Sequence, residues 1–168
     1  MKKYVAYGIG AALVDTEIKV QDTELSQMNV EKGMMTLVDA DRQAELLSHL
    51  EGHLVKASHA SGGSAGNSMI AAAQFGGPTF MSCKVANDSD GDIYIADMEA
   101  AGVDHCLTGE REEGTTGKCL VLISPDAERS MNTNLSISET LSEEQLVPGA
   151  ITQSEYLYIE GYLVTSPT

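Results

Sequence analysis

Residues 61–67, Ser-Gly-Gly-Ser-Ala-Gly-Asn, run into a helical pattern from Ser68 to Phe75, and their types suit the gripping of a small polar ligand. Small residues at Gly62, Gly63 and Ser64 let backbone approach a bound molecule closely, and the first N–H groups of a helix point outward without internal partners. Asn67 adds a side chain that both donates and accepts, as the reading of a hydroxyl group requires. The same residues also suit a plain strand-to-helix turn with Asn67 or Ser68 as N-cap. Two sharper chemistries fail on spacing. A phosphate-cradling P-loop needs its second glycine and a lysine where Asn67 and Ser68 stand, and the dinucleotide fingerprint begun by Gly8-Ile9-Gly10 has Leu13 where its third small residue is due. That break leaves a nicotinamide-dependent oxidoreductase with little support.

Metal chemistry is equally poorly served. The run Asp88-Ser89-Asp90-Gly91-Asp92 with Glu99 imitates a calcium loop, but the position that must be glycine is Ile93, and a helix pattern follows. The acidic cluster reads instead as the cap of that helix, complementing its positive end. The histidines at 49, 53, 59 and 105 show no ligand spacing, and Gly52 weakens the helix that would align the first two. Cys83, Cys106 and Cys119 are widely separated, which suggests neither a disulfide framework nor zinc, and a reducing cytoplasm is the expected setting.

The elements that must position these residues alternate in type. Buried-strand patterns at 3–9, 54–57 and 79–85 alternate with helix patterns at 39–50, 67–76 and 92–101, which predicts a layered α/β core. Leu46, Leu47 and Leu50 fall on one side of the first helix. An apolar strand covers 156–159 and reads as a core strand. Strands at 16–20, 118–124 and 129–133 are polar-faced or hairpin-like, with Pro125-Asp126-Ala127-Glu128 as the turn between the last two, and they are candidates for a small sheet outside the main layer. The 168 residues, 42% apolar, suffice for one sizeable core. Twenty-five acidic against ten basic residues give a net charge of -15, which opposes binding to nucleic acid and to anionic membranes. The charged start Met1-Lys2-Lys3 and the apolar run to Val14 imitate a secretory signal, but the run passes straight into an alternating strand pattern and lacks a clear cleavage site.

Several distant segments agree with one family. Residues 8–15 (Gly-Ile-Gly-Ala-Ala-Leu-Val-Asp), the Gly62-Gly63-Ser64…Asn67 loop, Ala86-Asn87-Asp88-Ser89-Asp90-Gly91, Glu99-Ala100-Ala101-Gly102-Val103, Thr116-Gly117-Lys118-Cys119-Leu120, Glu128-Arg129-Ser130-Met131-Asn132 and Ile159-Glu160-Gly161-Tyr162 resemble, in order, the ribokinase-like (phosphofructokinase B type) sugar and nucleoside kinases. The Gly-Gly-Ser-x-x-Asn-Ser form is more similar to adenosine kinases than to ribokinases, which place a lysine where Ser64 stands.

The resemblance implies the N-terminal part of a three-layer α/β/α sandwich with a β-sheet lid drawn from about 16–36 and 103–133, through which a homodimer can form. It implies a kinase that transfers a phosphoryl group from ATP, with Mg2+, to a hydroxyl of a sugar or nucleoside. It assigns Asp15, Gly62, Gly63, Ser64, Asn67, Arg129, Asn134 and Glu160 to substrate binding, with Asp15 accepting hydrogen bonds from sugar hydroxyls. On residue type alone, Asp15 suits a turn or cap, Glu160 a buried-edge or solvent-facing strand end, and Arg129 base stacking, an anion contact or, as the commoner fate, a surface ion pair. The Gly-x-Gly-Asp segment that carries the family's anion hole and catalytic base is absent from these 168 residues, so no catalytic residue is expected in this chain. A noncatalytic sugar- or nucleoside-binding or dimerisation module is the rival expectation.

Overall fold

The computed structural model describes residues 2–52 and 58–165. In chain order the elements are β1 (Tyr4–Ile9), β2 (Leu13–Lys19), α1 (Asp22–Gln27), β3 (Met35–Leu37), α2 (Ala40–His49), β4 (Ser58–Gly62), α3 (Ser64–Gln74), β5 (Thr79–Ser82), α4 (Ser89–Ala100), β6 (Val103–His105), β7 (Gly117–Ile123), β8 (Arg129–Asn134), α5 (Pro148–Thr152) and β9 (Ser154–Ile159). The strand expected over 54–57 lies outside the described residues.

A four-stranded sheet of order β6-β5-β1-β9 is parallel throughout, with Tyr7 beside Phe80 and Leu157, and Gly8 beside Met81 and Tyr158. Neighbouring residues on a strand face opposite ways, so Phe80 and Met81 separate two cores. Met81 packs with Met69 of α3 and with Tyr94 and Met98 of α4. Phe80 packs with Tyr4, Tyr7 and Ala150 of α5, its ring stacked on that of Tyr7 at 5.2 Å between centroids. Helices therefore cover both faces, the arrangement that a parallel sheet requires.

A second sheet, of order β3-β8-β7-β2-β4, contains the strands whose polar faces set them apart in the sequence. β7 and β8 form an antiparallel hairpin in which Cys119 opposes Thr133 and Ile123 opposes Arg129. The turn between them is tied by Ser124, whose hydroxyl donates to Asp126 at 2.7 Å. This sheet has its own core: Ile18, Val20, Leu120 and Leu122 pack on Leu25 and Met28, on Leu46 of α2 and on Leu50 just after it. The chain divides accordingly into two compact units, one of Met1–Val14, Ser61–Gly117 and Leu135–Thr168, the other of Asp15–Ala60 and Lys118–Asn134. β6, within the stretch 103–133 considered for lid strands, belongs to the four-stranded sheet.

Several element boundaries differ from the sequence reading. α3 starts at Ser64 rather than 67, and α4 at Ser89 rather than 92. β5 ends at Ser82 rather than 85, because its last partner on β1 is Ile9. β9 ends the sheet order, and within these 168 residues Tyr156, Leu157 and Ile159 are 68%, 53% and 59% exposed. The short elements α1, β3, β6 and α5 carry too few residues to show a period in the sequence. Among the described residues no helix is long and apolar enough to cross a membrane.

The imitation calcium loop is a helix start. Asp88 caps α4 by accepting from the Gly91 N–H at 2.8 Å, and the same carboxylate accepts from the Thr116 hydroxyl at 2.6 Å and the Thr116 N–H at 2.9 Å. Thr116 is fully buried, so its donors have no recourse to water. Replacing Asp88 by alanine removes the cap, worth about 1 kcal/mol, and strands buried donors at about 1–3 kcal/mol. Urea denaturation of Asp88→Ala is expected to show a loss of about 2–4 kcal/mol.

Candidate functional site

Three stretches of the first unit meet at the carboxyl ends of its central strands: Gly10-Ala11-Ala12 after β1, Gly62-Gly63 at the start of α3, and Glu160 after β9. The Glu160 N–H donates to the Ile9 carbonyl at 3.2 Å, which continues the β1–β9 pairing by one step and turns the side chain inward. Its Oε1 accepts from the Ala11 N–H at 2.6 Å. Its Oε2 accepts from the Ser64 hydroxyl at 2.8 Å and from the Ala65 N–H at 3.2 Å. At 4% exposure Glu160 is a buried acceptor satisfied by three donors, and it sits at the positive end of an eleven-residue helix.

Close approach explains the small residues. A Cβ on Gly10 would lie 2.5 Å from the Ala65 Cβ and 2.6 Å from the Glu160 Cδ. Gly63 has φ +88°, and a Cβ there would lie 2.5 Å from the Ala11 carbonyl oxygen. The glycines thus let two loops touch around one carboxylate, and Gly63, with no side-chain cap, precedes a helix whose terminus is served by a residue distant in sequence.

This arrangement does not fit a phosphate. The Ala65 amide is already committed to a carboxylate, so an anion at the start of α3 would meet the charge of Glu160. Among the described residues, no group of three or more His, Cys, Asp or Glu side chains is placed to hold a metal ion. The ATP and Mg2+ that the resemblance implies therefore have no fitting residue set among the described residues.

Each expected site residue has a definite place. Gly62 is buried, while Gly63 and Ser64 are half-buried, the Ser64 hydroxyl donated to Glu160. Asn67 is neither cap nor loop. Its N–H donates to the Gly63 carbonyl inside α3, and its side chain is exposed one turn into the helix. Of the two strand-end readings, Glu160 takes the buried-edge one and not the solvent-facing one. In the second unit, Asp15 lies within β2 rather than at a turn, half-buried. Arg129 opens β8 and donates to Glu17 Oε1 at 3.0 Å, the surface ion pair that residue type alone favoured. Asn134 closes β8, buried and opposite Lys118, so about 17 Å of strand separates it from Arg129. The Ala11 amide carries no sequence signal, since only its backbone takes part.

Burial pushes the Asp15 carboxyl up to about 6, against the attraction of Arg129 and with the repulsion of Glu17 adding to it. A carboxylate short of partners in a partly desolvated place gains from any ligand that donates hydroxyl hydrogens. Its neighbours offer one cation, already engaged.

A family model described as pfkB family carbohydrate kinase matches residues 28–168. Among solved structures, a probable sugar kinase from Rhizobium etli CFN 42 is 33% identical, with a TM-score of 0.92 over 99% of this chain and 49% of that one. Adenosine kinase from Sinorhizobium meliloti is 36% identical, with a TM-score of 0.90 over 98% of this chain and 49% of that one. Adenosine kinase from Schistosoma mansoni in complex with adenosine is 20% identical at a TM-score of 0.82 over 99% of this chain and 49% of that one, a likeness of fold alone. No curated protein matches. The chain spans about half the length of the solved structures it matches.

Two outcomes follow from the geometry. Gly63→Ala combines a backbone conformation that side chains rarely adopt with a clash on Ala11, and a loss of about 3 kcal/mol in denaturant unfolding is expected. Because the folded-state value of Asp15 is raised, its contribution to stability is fully present below about pH 4 and is lost as pH rises through about 6. Thermal unfolding of Asp15→Asn followed from pH 4 to 8 is therefore expected to lack that part of the slope. An identical slope in the parent would contradict it.

Proposed function

This chain belongs to the pfkB family of carbohydrate kinases, and on that premise we propose that it forms the acceptor-binding portion of an ATP-dependent phosphotransferase whose acceptor is a hydroxyl of a nucleoside or small sugar. The observation that carries the proposal is the 36% identity to an adenosine kinase across 98% of the chain. The glycine loop supports it, because that loop is arranged for close backbone approach and has its helix terminus closed to phosphate. Adenosine is the first acceptor to test.

In this proposal Gly62 and Gly63 present backbone to the acceptor, and Asn67 reads one of its hydroxyls with a donor and an acceptor atom. Glu160 and Ser64 act as positioning residues, since their polar atoms are spent on each other and on Ala11 and Ala65. Asp15 accepts from acceptor hydroxyls in its ionised form. Arg129 keeps Asp15 from rising further, and Asn134 is the least supported of the set, since it lies at the far end of its strand. Phosphoryl transfer depends on positioning and on electrostatic stabilisation of the transferred group, so these residues contribute the first of those two requirements.

Calorimetric titration with adenosine and with ribose tests this. A hydrogen bond to a charged group is worth about 1.5–3 kcal/mol, so Asp15→Ala is expected to weaken binding by about 10- to 100-fold. Parent affinity is expected to rise with pH through about 6, as Asp15 ionises. Equal affinity in the parent and Asp15→Ala would remove Asp15 from the site. Absence of binding to either ligand by the parent would count against the assignment as a whole.

A further inference from the structure

Cys83 and Cys106, remote in sequence and without a role in the site above, lie against each other where β5 and β6 end. The parallel register places Met81 beside His105, and the Cys106 N–H continues it by donating to the Met81 carbonyl at 3.1 Å. Cys106 Sγ donates to the Cys83 carbonyl at 3.2 Å and accepts from the Cys83 N–H at 3.5 Å. The ladder ends there, because the Cys83 N–H turns to the Cys106 sulfur instead of a strand carbonyl, and this seats the Cys106 thiol directly against Cys83. Both thiols are free.

Access is unequal. Cys83 is fully buried, whereas Cys106 is half-buried, and both line a cavity of about 300 Å³ shared with Leu107, Thr108 and Arg111. We propose that Cys83 and Cys106 form a reversible redox pair, closed to a disulfide by exchange with a low-molecular-weight disulfide such as oxidised glutathione. The Cys106 thiolate attacks one sulfur of the oxidant, forms a mixed disulfide and expels one thiolate. Cys83 then loses its proton and attacks the Cys106 sulfur, expelling the second. Two protein thiols and one small disulfide thus become one protein disulfide and two small thiols, and the oxidant takes up both electrons.

The electrostatics of the pair support this order. Hydrogen bonding from the Cys83 thiol, aided by backbone donors, outweighs burial and brings the Cys106 thiol down to about 6, while Cys83 is driven well above its ordinary value by the same contact and by burial. Cys119 is an internal control, since burial pushes it up to about 11. At neutral pH the difference in thiolate fraction between Cys106 and Cys119, partly offset by the lower nucleophilicity of the more acidic thiol, gives Cys106 an advantage of about 100-fold in alkylation rate.

The test is to equilibrate the full chain with reduced and oxidised glutathione, quench with acid, and map the peptides by mass. A Cys83–Cys106 link that forms without denaturant, disappears with dithiothreitol and leaves Cys119 reduced is expected. Cys83→Ser should accumulate a glutathione adduct on Cys106, and Cys106→Ser should leave Cys83 unmodified. Should either variant not fold, timed alkylation of the parent still decides. Cys106 reacting no faster than Cys119, or a link appearing only in denaturant, would overturn the proposal.

Discussion

The first unit is organised around one buried carboxylate. Glu160 draws the loop after β1, the start of α3 and the end of β9 onto two oxygen atoms, and it does so only because Gly10 and Gly63 leave room for the approach. The Ala11 and Ala65 amides would otherwise be buried donors without this partner, at a cost of about 1–3 kcal/mol apiece. The carboxylate therefore acts as a cap for α3 and a clamp for the β1 loop, while the backbone N–H of the same residue continues the parallel pairing to β1. Without it, the glycine loop has no reason to hold one conformation.

That constraint also decides what the loop can bind. A glycine-rich segment at a helix start is commonly an anion site, since free amides and the helix dipole both attract negative charge. In this chain the protein fills that place with its own carboxylate, so the Ala65 amide at the helix start is not free for an external anion. In the second unit, a separate core of Ile18, Leu120 and Leu122 against Leu46 and Leu50 gives β2 a rigid frame for Asp15, whose partial burial leaves a carboxylate short of hydrogen-bond donors.

The sequence made local relations legible and distant ones not. Asp88 as a cap was readable, because cap and helix are adjacent, and the broken calcium spacing pointed the same way. The separate character of strands β7 and β8 was visible in their polar alternation and in the turn at Pro125. The start of α3 was placed three residues late because Gly63-Ser64-Ala65-Gly66 is a poor helix opening by propensity, and the residue that stabilises it stands 96 positions away. Glu160 was noticed for its place beside an apolar strand, but its partners are backbone amides and a serine, which leave no pattern.

Native-state hydrogen exchange at the amides of Ala11 and Ala65, compared between the parent and Glu160→Gln, tests the organising role of this carboxylate most directly. The account predicts that both amides lose protection together in the variant, while the β1–β5 ladder amides keep theirs. Unchanged protection at Ala11 and Ala65, or uniform loss across the whole unit, would contradict it.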